Sequence, residues 1–220
     1  MIARSHPFRG LDAMDNNLVK AMLGSVGLAP DTPIESLLPV SSVEQQQDID
    51  KLLAPFGNKV ILLHRSGGWG LKTIPDTILQ ELAEVVKEKG FKLVQIGGPG
   101  DAKCAQADGI IAQNLSAGHW AALFKKAAAV FGVDSWSAHM AAILDVSQVT
   151  FYGSTQPRHV ASKPFFKKNN APALMVSPTV ACSPCNSLTC LIAPVPFCEG
   201  YNISKSKIGK FLEISSGPDF

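Results

Sequence analysis

Residues 133–142 read Val133-Asp134-Ser135-Trp136-Ser137-Ala138-His139-Met140-Ala141-Ala142. The run before them, 127–133, is apolar; it ends on a carboxylate, then a hydroxyl, then an Ala-rich pattern at helical spacing. A buried strand that stops at Asp134 and feeds a helix capped by Ser135 creates a small polar pocket at a sheet edge. Unpaired backbone N–H groups and the positive end of the helix dipole face such a pocket, which suits a phosphorylated ligand. Ser135 and His139 stand four apart and share one helix face. Helix capping and a satisfied helix histidine explain the same residues, and capping does not exclude a ligand, because one cap leaves other N–H groups free. A Ser–His–Asp hydrolase fits poorly, since the chain has no Gly-x-Ser-x-Gly elbow.

Working outward, short apolar runs alternate with helical patterns. Residues 60–63, 92–96, 128–133 and 149–152 read as strands, with weaker ones at 109–112 and 174–176. Helices are predicted over 75–90, opened by Pro75 and stopped by Gly90, and over 116–126 and 135–144. Upstream, Leu11, Met14, Leu18, Met22 and Val26 predict a helix, 29–39 is a Pro-bearing connector, and 42–56 opens with the capping-box pair Ser42 and Gln45. The expected fold is therefore α/β, a parallel sheet with helices on both faces preceded by a helical linker segment. The division is 1–57 for the linker segment and 58–220 for the binding domain with a Cys-rich loop and final helix.

In such sheets ligands bind outside the carboxyl ends of the strands. His64, Gly97, Asp134 and Gly153 all stand at those ends. The loop from His64 to Lys72 holds three glycines that permit close backbone approach, Ser66 as a hydroxyl donor and Lys72 as a point charge for phosphate. It lacks the Gly-Lys-Ser/Thr ending of a P-loop, so a flexible loop with a surface lysine is the plainer reading. Gly97-Gly98-Pro99-Gly100-Asp101 follows a strand directly; it is either a tight turn or a ribose site served by Asp101.

Composition narrows the class. Of 220 residues, 46% are hydrophobic and 17% charged, enough apolar material for a substantial core. A net charge of +2 provides no footprint for nucleic acid. The lysine groups 163, 167, 168 and 205, 207, 210 read as solvated faces, or at most as a peripheral contact with an anionic membrane. No apolar run approaches the roughly 20 residues that span a bilayer. Residues 1–10 lack the apolar centre of a signal peptide, so a cytoplasmic protein is expected, at most peripheral to the inner membrane.

The segment 132–144, with its Asp134-Ser135 and His139, and then Val149-Thr150-Phe151-Tyr152-Gly153-Ser154-Thr155-Gln156-Pro157 resemble the donor-site signature of glycosyltransferase family 9, the lipopolysaccharide heptosyltransferases and their relatives. The resemblance runs from about His6 to Leu212. It is to the C-terminal, donor-binding half of these GT-B enzymes, with residues before 58 as the inter-domain helix. It implies a nucleotide-diphosphate sugar, ADP-heptose foremost, transferred with inversion to a lipopolysaccharide or other glycan acceptor. Lys72 would neutralise diphosphate charge, Ser66 would meet a phosphate, and Asp134 would hold the sugar. Ser135 would face the diphosphate with His139 nearby, while Gly97, Gly98, Asp101 and Leu115 would approach ribose and adenine. No metal is required for transfer. The catalytic base, which the family carries in the N-terminal half, has no assignable residue here, so the implied partner is a separate N-terminal domain chain or a second copy. Trp136 stands where the family has glycine; its bulk would either crowd the diphosphate or turn outward. A non-catalytic nucleotide-sugar-binding module and an assembly protein remain alternatives.

Cys182, Cys185, Cys190 and Cys198 place four thiols within seventeen residues. The count matches a tetrahedral zinc or iron site, although the second Cys-x-x-Cys knuckle is missing. Some family relatives hold iron at similar cysteines. Reduced thiols or one disulfide in a Pro-rich loop are the alternatives, and Cys104 reads as a core thiol.

Overall fold

The apolar runs form one six-stranded sheet: β1 (Val60–His64), β2 (Lys92–Gly97), β3 (Gly109–Ala112), β4 (Ala129–Val133), β5 (Gln148–Phe151) and β6 (Ala173–Val176). The structure is a computed structural model and describes residues 17–29, 31–35, 40–101, 103–167, 169–190, 192, 195 and 197–216. The strand order is β3-β2-β1-β4-β5-β6, and every neighbouring pair is parallel. The chain therefore reverses its direction of travel across the sheet between β1 and β4, where Leu63 pairs with Gln95 on one side and His64 with Gly132 on the other. A reversal of this kind opens a crevice at the carboxyl edge.

Strand periodicity divides the core. Ile61 and Leu63 of β1 point to one face and meet Phe131, Val133, Phe151 and the helix α3 (Asp76–Glu88) through Ile78, Leu79, Leu82 and Val85. The last helix, α7 (Lys205–Ser216), adds Ile208, Phe211 and Leu212 to this layer. Val60 and Leu62 point to the opposite face, with Val94, Ile96 and Val130. That face is covered by α2 (Val43–Leu53), α4 (Ala117–Lys126) and α5 (Trp136–Ile143). Strands buried on both faces need the near-continuous Val/Ile/Leu content that the sequence shows.

The helix starts follow their capping chemistry. Ser42 accepts from the Gln45 N–H while the Gln45 side chain accepts from the Ser42 N–H, the expected reciprocal box. Ser116 caps α4 through the His119 N–H. The N-terminal helix is present over its described residues. The first described helix, α1, is Leu18–Ser25, and residues 11–16 lie outside the described residues. Leu18, Met22 and Val26 are exposed on it, and Leu23 is the buried position. Tertiary anchoring sets this rotation. Buried Asn17 caps α1 through the Val19 N–H and donates from Nδ2 to the carbonyls of Arg158 and Ala161, at and after α6 (Pro157–Val160).

Candidate functional site

Four strand ends converge at the reversal. The loop after β1 is closed on itself: the Gly67 N–H donates to the Lys72 carbonyl, the Ile74 N–H to that of Arg65, and Ser66 forms a bridge with Thr73. A 3-10 turn, Gly70–Lys72, then presents the Lys72 side chain inward. Lys72 Nζ lies 2.8 Å from Asp134 Oδ2, and both side chains are largely buried, at 12% and 4% exposure. Thr155, just beyond β5, donates from Oγ1 to the same oxygen at 2.7 Å. The ammonium also sits 4.0 Å from the ring centroid of Trp69, whose Nε1 donates to Ser154 Oγ. Gly153 makes this closure possible, because a Cβ there would stand 1.8 Å from the Leu71 carbonyl oxygen.

Helix α5 opens beside this pair. Ser135 occupies its N-cap position with extended backbone, but the hydroxyl makes no capping hydrogen bond. The expected side-chain cap is thus not formed. The first turn therefore keeps N–H groups without a side-chain partner, at the positive end of the helix dipole. His139 lies one turn on, its Nδ1 2.9 Å from Ser162 Oγ. Burial holds its imidazole below the ordinary histidine pKa; Asp134 opposes that shift and Lys72 adds to it. Lys72, Asp134 and His139 are thus close enough to feel one another's charge.

A second group lies toward β2. His64, at the end of β1, bonds through Nδ1 to Ser137 Oγ at 2.9 Å. Burial pushes its pKa down to about 4 against the pull of Asp101, so it is neutral at pH 7. Asp101 is folded back on its own loop, Oδ2 accepting from the Gly98 N–H at 2.8 Å. A Cβ at Gly97 would meet that oxygen at 2.3 Å, so a side chain there would displace the Asp101 carboxylate from the turn. Trp136 does not lie over Lys72: its indole packs against Trp120, Phe124 and His64, with ring centroids 4.9, 5.8 and 5.2 Å away.

Lys72, Asp134, Ser135 and His139 come together as one site, and Gly97, Gly98 and Asp101 form the adjoining rim. Ser66 is exposed, and Leu115 packs half-buried against the core under α4. Thr155, Trp69 and Ser162 were not singled out from the sequence. Thr155 had a signal, standing in the stretch Gly153–Pro157 that carries the resemblance, whereas Trp69 and Ser162 had none.

The cysteines require a correction. Cys182, Cys185, Cys190 and Cys198 are free thiols lining one largely apolar cavity of about 270 Å³ with Leu71, Gly153 and Phe197. Among the described residues no group of three or more His, Cys, Asp or Glu is arranged to hold a metal ion, so the zinc or iron reading is withdrawn. Tetrahedral coordination needs sulfurs about 2.3 Å from a common point. These thiols instead line a cavity wall.

A sheet reversing at β1/β4, with a lysine-bearing loop and a helix mouth at its carboxyl edge, defines a Rossmann-like domain of GT-B type. The chain belongs to glycosyltransferase family 9 (heptosyltransferase), whose family model matches residues 25–195. That match corrects the restriction of the resemblance to a C-terminal half: it takes in nearly the whole chain, including most of the segment before residue 58. Among solved structures the chain is similar to the glycosyl transferase family 9 protein from Veillonella parvula DSM 2008, at 19% identity and TM-score 0.59, covering 89% of this chain and 58% of that one. It is also similar to E. coli ADP-heptose lps heptosyltransferase II, at 17% identity and TM-score 0.58, covering 88% and 58%. These likenesses establish the fold. The chain spans 58% of the length of each of these two proteins. No curated protein is significantly similar to it in sequence. Among the described residues no helix is long and apolar enough to cross a membrane.

Proposed function

We propose that the carboxyl edge of the sheet binds a nucleoside-diphosphate sugar, ADP-heptose foremost, for inverting transfer to a lipopolysaccharide or other glycan hydroxyl. The observation that carries this reading is the Lys72–Asp134 pair at the uncapped mouth of α5. A diphosphate laid there meets an ammonium, a helix dipole and unpaired N–H groups, all preorganised for anionic oxygen. Asp134 keeps Oδ2 for Lys72 and Thr155 and offers Oδ1 to sugar hydroxyls. Residues 58–220 act as the binding domain and 1–57 as the segment leading to it.

In the transfer the acceptor oxygen attacks the anomeric carbon and its proton passes to a base. The bond from that carbon to the diphosphate oxygen breaks, and the electron pair leaves on the diphosphate. Lys72 and the α5 amides stabilise that developing charge. Asp134 is committed to Lys72 and Asp101 to the Gly98 amide, so neither serves as that base, which comes from outside this site. Such a protein works at the cytoplasmic side, at most in peripheral contact with the inner membrane.

Calorimetry with ADP, ADP-heptose and inorganic pyrophosphate tests the binding claim; absence of heat with all three would overturn it. Sugar transfer by the chain alone would overturn the external base. Binding without turnover until a second domain is supplied is the expected pattern.

A further inference from the structure

Trp136 sits at the first helical position of α5, one residue from the polar mouth, yet its side chain belongs to a different group of contacts from Lys72. Its ring is held by Trp120, Phe124 and His64 while the residue stays 39% exposed. A large aromatic that is pinned by neighbours and still open to solvent beside a polar helix mouth is a ready-made stacking surface. Resting on the reading of a nucleoside-diphosphate donor, we propose that Trp136 is the shelf on which the donor's nucleobase stacks, and so a specificity-determining residue of this site.

The direction of the indole supports this. Trp136 follows β4 but reaches His64 at the end of β1, the strand that separates β4 from β2. Adjacent strands lie about 4.8 Å apart, so the path from the α5 mouth over β1 to the Gly97–Asp101 turn is about 10 Å. A ribose and base joined to a diphosphate at Lys72 extend over that distance, and Trp136 lies along the path. His64, neutral at pH 7, backs the indole without adding charge to the surface. Trp120 and Phe124 pack against the ring and hold it in this orientation. A π-face is also indifferent to the orientation of ring substituents, so the shelf selects for a planar base in general before any particular one.

The test compares ADP with inorganic pyrophosphate on the full chain by calorimetry, in wild type, Trp136→Leu and Trp136→Phe. The expected result is that Trp136→Leu weakens ADP about tenfold and leaves pyrophosphate within about twofold, so that the ratio of the two affinities collapses. Trp136→Phe is expected to restore most of that ratio, which a purely structural role would not require. An unchanged ratio in Trp136→Leu, or ADP binding more tightly to it, overturns the shelf while the anion site stands. Wild type that binds pyrophosphate no more weakly than ADP also overturns it. If wild type binds neither ligand, the donor reading and the shelf fall together.

Discussion

Lys72 Nζ and Asp134 Oδ2 are 2.8 Å apart although 62 residues separate them in the chain. One comes from the loop after β1, the other from the end of β4, and these strands are neighbours only because the sheet reverses between them. The pair joins the loop to the sheet and presents a cation beside a helix mouth.

Removing the cation should be felt in stability as well as in binding. In Lys72→Met the Asp134 carboxylate stays buried with only the Thr155 hydroxyl on Oδ2. Loss of one partner from a buried pair costs about 3 kcal/mol or more. Urea denaturation at pH 7 should show a loss of that order, and pyrophosphate binding should fall at least tenfold. Adding Asp134→Asn should recover part of the stability and none of the binding. A Lys72→Met protein as stable as wild type would show that the pair is not coupled.

Gly153 is expected to tolerate no side chain. A Cβ would stand 1.8 Å from the Leu71 carbonyl oxygen, and that atom belongs to backbone that cannot rotate away. Gly153→Ala should therefore push the 65–73 loop off the end of β5. A destabilisation of about 1–3 kcal/mol should accompany weaker pyrophosphate binding, read by thermal melts and calorimetry on the same sample. Unaltered melting would mean that the loop does not press on this strand end.

The pH dependence has a definite sign. Burial lowers His64 from 6.5 to about 4, so between these values the unfolded chain binds a proton that the folded chain refuses. Its contribution is complete above pH 6.5 and is lost as pH falls through about 4, at up to about 1.4 kcal/mol per pH unit. His139, also lowered by burial, acts in the same direction. Denaturation free energies measured from pH 7.5 to 4.5 should fall less steeply in His64→Gln than in wild type. Parallel curves would contradict the buried neutral imidazole.

Asn17 should decide whether α1 stays attached. Its side chain accepts from the Val19 N–H and donates to two carbonyls at and after α6, while the outer face of α1 is exposed. Asn17→Ala removes both the cap and the anchor, a change of about 1–2 kcal/mol. Hydrogen exchange over residues 18–25 should accelerate at least tenfold with the sheet amides unaffected. Equal acceleration throughout would mean that α1 and the sheet open together.

The alternation of buried strands and amphipathic helices was open to reading because each element declares itself within a few residues. Val60–Leu63 carries the mark of a strand covered on both faces, Ser42 and Gln45 cap each other locally, and Gly90 stops α3 by adopting a positive φ. The strand ends followed, and with them Lys72, Asp134 and His139 as candidates. Local pattern was silent where distant contacts decide. The apolar spacing of Leu18, Met22 and Val26 predicts the helix but not its buried side: these residues are exposed, Leu23 is buried, and Asn17 is held by carbonyls of residues 158 and 161.

Side-chain direction and pairing were not written in any local stretch. Spacing alone did not say that Lys72 and Thr155 share one oxygen of Asp134, that the Ser135 hydroxyl leaves α5 uncapped, or that four cysteines ring a cavity without forming a metal site. Trp136 poses the same problem, since its bulk is plain in the sequence while its orientation depends on Trp120, Phe124 and His64. Periodicity and capping are short-range physics and survive in the linear chain. Ion pairing and ring packing act over a few ångströms between residues far apart in sequence, and they exist only once the sheet has brought its strand ends together.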